Sequence, residues 1–161
     1  FDLADPAKRP PADLRRALEL IVRFGQHFDV ILGLNEKEAC EVAAALGLPA
    51  QPRTPEELAA LALEIARRVP VATLVVHPVT YALAVTAGVV SVVAGPRISQ
   101  PLITTGAGDH FNSGFCLGKL LGLDDAQSLL CGVSTSGSYV RSAQSPALAD
   151  LAAMLRDWPG A

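Results

Sequence analysis

The sequence predicts an α/β domain built around a largely parallel sheet, and three observations carry that reading. Short apolar segments rich in β-branched residues alternate with longer segments of helical period, the pattern of a layered α/β domain. Half of the 161 residues are hydrophobic and only 18% are charged, which excludes an intrinsically disordered chain and supplies enough apolar surface for a real core. Between Arg68 and Arg97 there is no formal charge, as in strands of a sheet covered on both faces.

Each element has a local reason. Phe1 to Pro6 reads as the tail of a strand that ends at Asp5-Pro6, so an N-terminal part of a longer protein is expected to precede it. Pro10-Pro11 opens a helix, because proline is tolerated in a first turn. Leu14, Leu18, Ile21, Val22 and Phe28 then follow a helical period, predicting a helix from Asp13 to about Phe28. Asp29 to Leu34 is a short apolar strand. Asn35 with Glu38 three residues later is an N-terminal helix signal, and that helix, Glu36 to Leu46, stops at Gly47. Pro49 to Arg53 is a polar loop, and Thr54-Pro55-Glu56-Glu57 starts a helix that runs to about Arg68.

Strands are predicted at Thr73 to Val76, Tyr81 to Thr86 and Val89 to Ala94, punctuated by Pro78 and Gly88. Val71 to Gly95 is long enough on paper to span a bilayer. His77-Pro78, Gly88 and the density of Val and Thr argue instead for buried strands. Pro96 to Ile103 is a loop or edge segment. Helices follow at Gly106 to Leu121, Asp124 to about Arg141, and Ala147 to Trp158.

A net charge of −3 with scattered basic residues, paired only as Arg15-Arg16 and Arg67-Arg68, argues against nucleic acid or a membrane surface as a partner held by bulk charge. Three cysteines without a CxxC spacing argue against a disulfide framework or a structural zinc site and fit a cytoplasmic compartment. Cys116 and Cys131 are expected in the core, and Trp158 is expected as a packing anchor.

Chemistry concentrates in residues 104–115, Thr-Thr-Gly-Ala-Gly-Asp-His-Phe-Asn-Ser-Gly-Phe. Glycines at a helix start leave N–H groups bare, and the helix dipole adds positive potential, so such a terminus suits a phosphate. A carboxylate in the same first turn, Asp109, repels a bound anion. It makes sense beside one if it takes the proton from a nucleophile that attacks the phosphorus. The plainer reading is that Gly106 and Gly108 are turn residues and that Asp109 merely favours the dipole. A dinucleotide fingerprint does not fit, because Phe111 stands at its third glycine and a second helix follows instead of a strand. A Walker A loop is absent, since Gly118-Lys119 is followed by Leu120.

Thr104-Thr105-Gly106-Ala107-Gly108-Asp109, followed by Phe111-Asn112 and Gly114, resembles the C-terminal signature of the ribokinase-like (PfkB-type) carbohydrate kinases. Asn35-Glu36-Lys37-Glu38 resembles the Asn-x-x-Glu motif of the same family, in the right order and on the right element. The resemblance covers essentially the whole chain, residues 1–161, as the C-terminal nucleotide-binding and catalytic portion of a kinase domain.

The resemblance implies a three-layer α/β/α sandwich of ribokinase type and ATP-dependent transfer of a γ-phosphoryl group to a hydroxyl of a sugar or nucleoside. Asp109 would be the base, and the N–H groups of Gly106, Ala107 and Gly108 would form the anion hole. Thr105 and His77 would lie on the nucleotide side. Asn35 and Glu38 would organise Mg²⁺ through water, and for these two helix capping is the open alternative, with which a metal role is compatible. The substrate pocket and lid would come from the N-terminal half, so this portion alone is expected to be inactive, and a homodimer through the lid is implied.

The family pattern is not followed everywhere. Ile103 stands where an acid is usual, which bears on a monovalent-cation site; His77-Pro78-Val79-Thr80-Tyr81 replaces a glycine-containing turn; and Leu130-Cys131-Gly132 stands where an Asn often approaches adenine. These changes fall on the nucleotide side. A non-catalytic nucleotide- or sugar-binding regulatory protein of the same fold is the alternative function. His110 is expected either to be packed or to tune Asp109, and His77 either to touch nucleotide or to close a strand end.

Overall fold

The computed structural model describes residues 1–3 and 5–159. Two compact units are present: residues 1–76 with 83–90, and residues 77–82 with 91–161.

In the first unit, α1 (Pro11–Phe24) presents Leu14, Leu18 and Ile21 as one buried stripe. It ends earlier than the apolar period implies, at Gly25, whose N–H bonds Val22 O. Phe28 sits beyond the helix and still packs on Phe24, with ring centroids 6.2 Å apart, which is why the periodicity ran on past the helix. β1 (Ile31–Leu34) leads directly into α2 (Glu36–Ala45), and α3 (Pro55–Arg68) starts at Thr54, whose side chain accepts from Glu57 N. Leu58, Leu61, Ala62 and Ile65 line its buried face.

β2 (Thr73–Val76) pairs with β1 in parallel, Ile31 opposite Thr73 and Leu34 opposite Val76. Two helices separate these strands in sequence, which supplies the crossover that parallel neighbours need. The start of the chain continues the parallel pattern: Asp2 bridges Gly33, and Gly33 N–H donates to Phe1 O. The expected strand tail therefore exists at Phe1 and Asp2, gives way to a 3₁₀ turn at Pro6–Lys8, and at Ala4 lies outside the described residues.

The expectation of a largely parallel sheet needs one correction. β3 (Tyr81–Thr86) pairs with β2 antiparallel, Val76 opposite Leu83. Residues 77–80 are too few for a parallel crossover, so the chain must turn back. Ala87 and Gly88 both have positive φ, the geometry of a two-residue hairpin turn, and lead into β4 (Val89–Ala94). The sheet is thus mixed, in the order β1-β2-β3-β4. The uncharged run is explained by β2 and the middle of β3, which are buried throughout; β4, last in the order, leaves Val89 and Val92 exposed. Among the described residues no helix is long and apolar enough to cross a membrane.

The second unit is organised by α4 (Ala107–Leu120), α5 (Asp125–Ser142) and α6 (Leu148–Arg156). α4 and α5 approach closely because glycines face the contact. A Cβ on Gly114 would lie 2.6 Å from Cys131 O and would also collide with the Thr135 side chain; one on Gly118 would lie 2.7 Å from Ser128 Cα. Phe111, Phe115, Leu129 and Val133 are buried in this unit. Cys116 is exposed, contrary to expectation, because Phe115 and the glycines on either side take the buried face of α4. Cys131 and Trp158 are half-buried.

Candidate active site

The start of α4 is a left-handed turn. Gly106, the residue before the helix, has φ 86° and ψ 0°, a conformation that glycine adopts without steric cost. Ala107, Gly108 and Asp109 are the first helical residues, so their N–H groups have no intrahelical acceptor; the first such bond runs from His110 N to Gly106 O. Ala107 N–H is engaged by Thr104 O at 3.1 Å. Of the three residues expected to hold an anion, Ala107 therefore has its N–H engaged within the turn. Asp109 is exposed at the same turn, and its backbone carbonyl accepts from Ser113 Oγ at 2.8 Å. A carboxylate and bare amides thus share one helix start, an arrangement able both to accept a proton and to hold an anion.

His77 sits beneath this turn. Its ring stacks on Phe111 with centroids 4.7 Å apart, and a Cβ on Gly108 would come within 3.4 Å of His77 Cε1. The imidazole thus lies in van der Waals range of the Gly108 backbone position. Thr105 is exposed, and its carbonyl accepts a hydrogen bond from Tyr139 Oη at 3.0 Å. His110 is packed: its ring stacks on Tyr139 and bonds Gly106 O and Ser145 Oγ. Gly132, near the position where an adenine contact was considered, instead lies against the Phe111 ring. The contacts of Tyr139 and Ser145 carry no sequence signal, since their partners lie 34 and 35 residues away and no spacing rule links them.

Asn35 and Glu38 form a second group, in the first unit. Both bonds of a capping box are present: Glu38 N–H donates to Asn35 Oδ1 and Asn35 N–H to Glu38 Oε2, each at 2.9 Å. Glu38 is buried at 7% exposure. Burial pushes its carboxyl up from the ordinary glutamate value, the bond from Asn35 N–H opposes this, and the Asp2 and Glu41 carboxylates push the same way as burial. Among the described residues no group of three or more His, Cys, Asp or Glu surrounds a metal position. Asn35 and Glu38 offer oxygen donors of the kind Mg²⁺ prefers, although the one side-chain oxygen of Asn35 and Oε2 of Glu38 are committed to the cap and Glu38 also accepts from Asp5 N–H. That donor set fits water-mediated contact with a cation that keeps part of its hydration shell.

Fold and helix start together define the class, the ribokinase-type kinase fold. The ribokinase of Thermotoga maritima matches with a TM-score of 0.68 and 20% identity, over 84% of this chain and 44% of that one. The adenosine kinase of Anopheles gambiae gives 0.69 at 20% identity over 91% and 44%, and phosphofructokinase-2 of Escherichia coli, solved with fructose-6-phosphate, 0.67 at 18% over 88% and 43%. The chain belongs to the prokaryotic ketohexokinase family, whose sequence profile matches residues 1–158. A ketohexokinase of Haloferax volcanii is 28% identical over 153 residues, which cover 95% of this chain and 40% of that protein. The chain thus spans about two fifths of the length of this curated relative.

Proposed function

We propose that the protein containing this chain transfers the γ-phosphoryl group of ATP to a hydroxyl of a small sugar, with ketohexoses as the substrate class. Family membership and the Haloferax relative's name support the substrate class. The observation that carries the chemistry is the start of α4, where Gly106, Gly108 and Asp109 bring bare amides and a carboxylate to one turn.

In this reading Asp109 takes the proton of the attacking hydroxyl, and placement against that hydroxyl compensates for its weakness as a base. The N–H groups of Gly106, Gly108 and, less directly, Ala107 face the charge that develops on the phosphoryl oxygens. Asn35 and Glu38 hold the waters of Mg²⁺, and the cation supplies charge neutralisation on the phosphates when bound. Thr105 and His77 border the turn, with His77 supporting it from beneath.

The test is ADP release by the whole protein with Mg²⁺, ATP and a panel containing fructose, ribose and adenosine. Fructose-dependent, Mg²⁺-dependent release is the expected result. Activity confined to ribose or adenosine would overturn the substrate class. Nucleotide binding with no turnover on any acceptor would overturn the kinase reading in favour of a binding protein of the same fold.

A further inference from the structure

A trans peptide unit is planar, with its N–H and C=O pointing in opposite directions, so whatever holds the carbonyl aims the amide. In the turn before α4, two successive carbonyls are held by side chains. Tyr139 Oη, from α5, donates to Thr105 O at 3.0 Å and so fixes the direction of Gly106 N–H. His110 Nδ1 lies 2.7 Å from Gly106 O. A carbonyl can only accept, so Nδ1 carries the proton; Gly106 O also accepts from the backbone N–H of His110 and Ala107 N–H donates to Thr104 O, so the backbone itself holds the 106–107 unit and this bond chiefly fixes the imidazole beside the turn.

The imidazole is itself held on two further sides. It stacks on the Tyr139 ring with centroids 3.6 Å apart and planes 10° from parallel, and its Nε2 lies 2.9 Å from Ser145 Oγ. In the neutral ring, with Nδ1 protonated, Nε2 accepts from the Ser145 hydroxyl. Tyr139 also fills the space beside the left-handed residue, since a Cβ on Gly106 would lie 3.2 Å from its Oη. Without the Tyr139 bond the 105–106 peptide plane would be free to rotate, whereas backbone bonds hold the next one. Rotation of the 105–106 unit would replace an N–H by a C=O and present negative charge to an anion.

We infer that Tyr139, His110 and Ser145 are positioning residues for phosphoryl transfer: Tyr139 holds Thr105 O so that Gly106 N–H faces the transferring group, and His110, held in turn by Ser145, stacks on Tyr139 and keeps it in place. The inference rests on the kinase reading above and assigns the proton transfer to none of the three. Pre-set donors are effective in such a site because no reorganisation is needed when charge develops.

Two substitutions test it in the whole protein. Tyr139→Phe keeps the ring and its stacking and removes the donor; His110→Phe keeps a planar ring and removes both ring hydrogen bonds. Each is expected to lower kcat about tenfold, below the roughly 10²–10³ lost with an anion-hole donor itself. KM for the sugar should stay within about twofold, because ground-state binding is not what the turn supplies. Affinity for ADP with aluminium fluoride and sugar, a mimic of the planar phosphoryl group, should fall by a similar factor, while affinity for ADP alone should hold. Unchanged kcat and unchanged mimic affinity in both variants, even with a lowered Tm, would reduce the cluster to a structural clasp and overturn the inference alone. A wild-type protein without turnover on any acceptor would overturn the kinase reading and this inference with it.

Discussion

On the proposed mechanism, Asp109→Asn is expected to separate catalysis from folding. Asp109 is the third residue of α4, exposed, and held in place through its backbone rather than by burial of its side chain. Asparagine keeps the size and much of the hydrogen-bonding shape. What the fold loses is one favourable interaction between a carboxylate and a helix N-terminus, about 0.3–1 kcal/mol at an exposed site. That lowers Tm by about 4 °C at most. What the reaction loses is its proton acceptor, and kcat is expected to fall about 10²–10⁴-fold, or about 2.7–5.4 kcal/mol of transition-state stabilisation. The catalytic loss exceeds the stability loss several-fold, so a folded, inactive variant is the predicted outcome. ATP binding should persist or tighten, because a negative charge beside the phosphates is gone. The assay is ADP release by the whole protein on its best sugar, with thermal denaturation and nucleotide titration alongside. Turnover within about threefold of wild type would refute the assignment of Asp109 as the base.

Four further outcomes follow from the structure. Gly114→Ala gains about 1 kcal/mol of helix propensity but forces a Cβ onto Cys131 O and the Thr135 side chain, an overpacking typically costing about 1–3 kcal/mol; a net loss of Tm is expected, and an unchanged or raised Tm would show that α4 and α5 can part freely. Glu38→Gln keeps an acceptor for Asn35 N–H and removes a buried charge, so Mg²⁺-dependent kcat should fall about 10–100-fold while the helix stays intact. The raised carboxyl of Glu38 means that the folded state holds its proton more tightly than the unfolded one. Its contribution to stability is therefore lost as pH rises above the ordinary glutamate value, and the wild-type Tm should decline relative to that of Glu38→Gln as pH is raised from the acid side of that value; a difference constant with pH would contradict the buried placement. In pulsed alkylation read by mass spectrometry, Cys116 should label before Cys40 and Cys131, whose thiols burial pushes up; early labelling of Cys131 would contradict the packing of α5.

Local chemistry was legible wherever a residue's partner lies within a few positions. Asn35 with Glu38 and Thr54 with Glu57 close hydrogen bonds over three residues, so the sequence by itself places these helix starts within a residue of where they occur. The glycine-rich start of α4 was visible for the same reason, because a left-handed turn before a helix calls for a glycine at that point. The run from 71 to 95 reads as strands from composition alone. Its direction follows from the length of the 77–80 connection more than from its residues.

Tertiary structure decided what depends on partners distant in sequence. The burial of Glu38, the exposure of Cys116 and the packing of His77 under Gly108 are set by which face of an element meets its neighbours, and periodicity gives only a stripe, not the neighbour. The cluster of His110, Tyr139 and Ser145 exists because Gly114 and Gly118 let α4 and α5 approach closely enough for side chains of one to reach the backbone before the other. Hydrogen bonds and ring stacking act over a few ångströms, so 34 residues of separation become contact only after the two helices have packed.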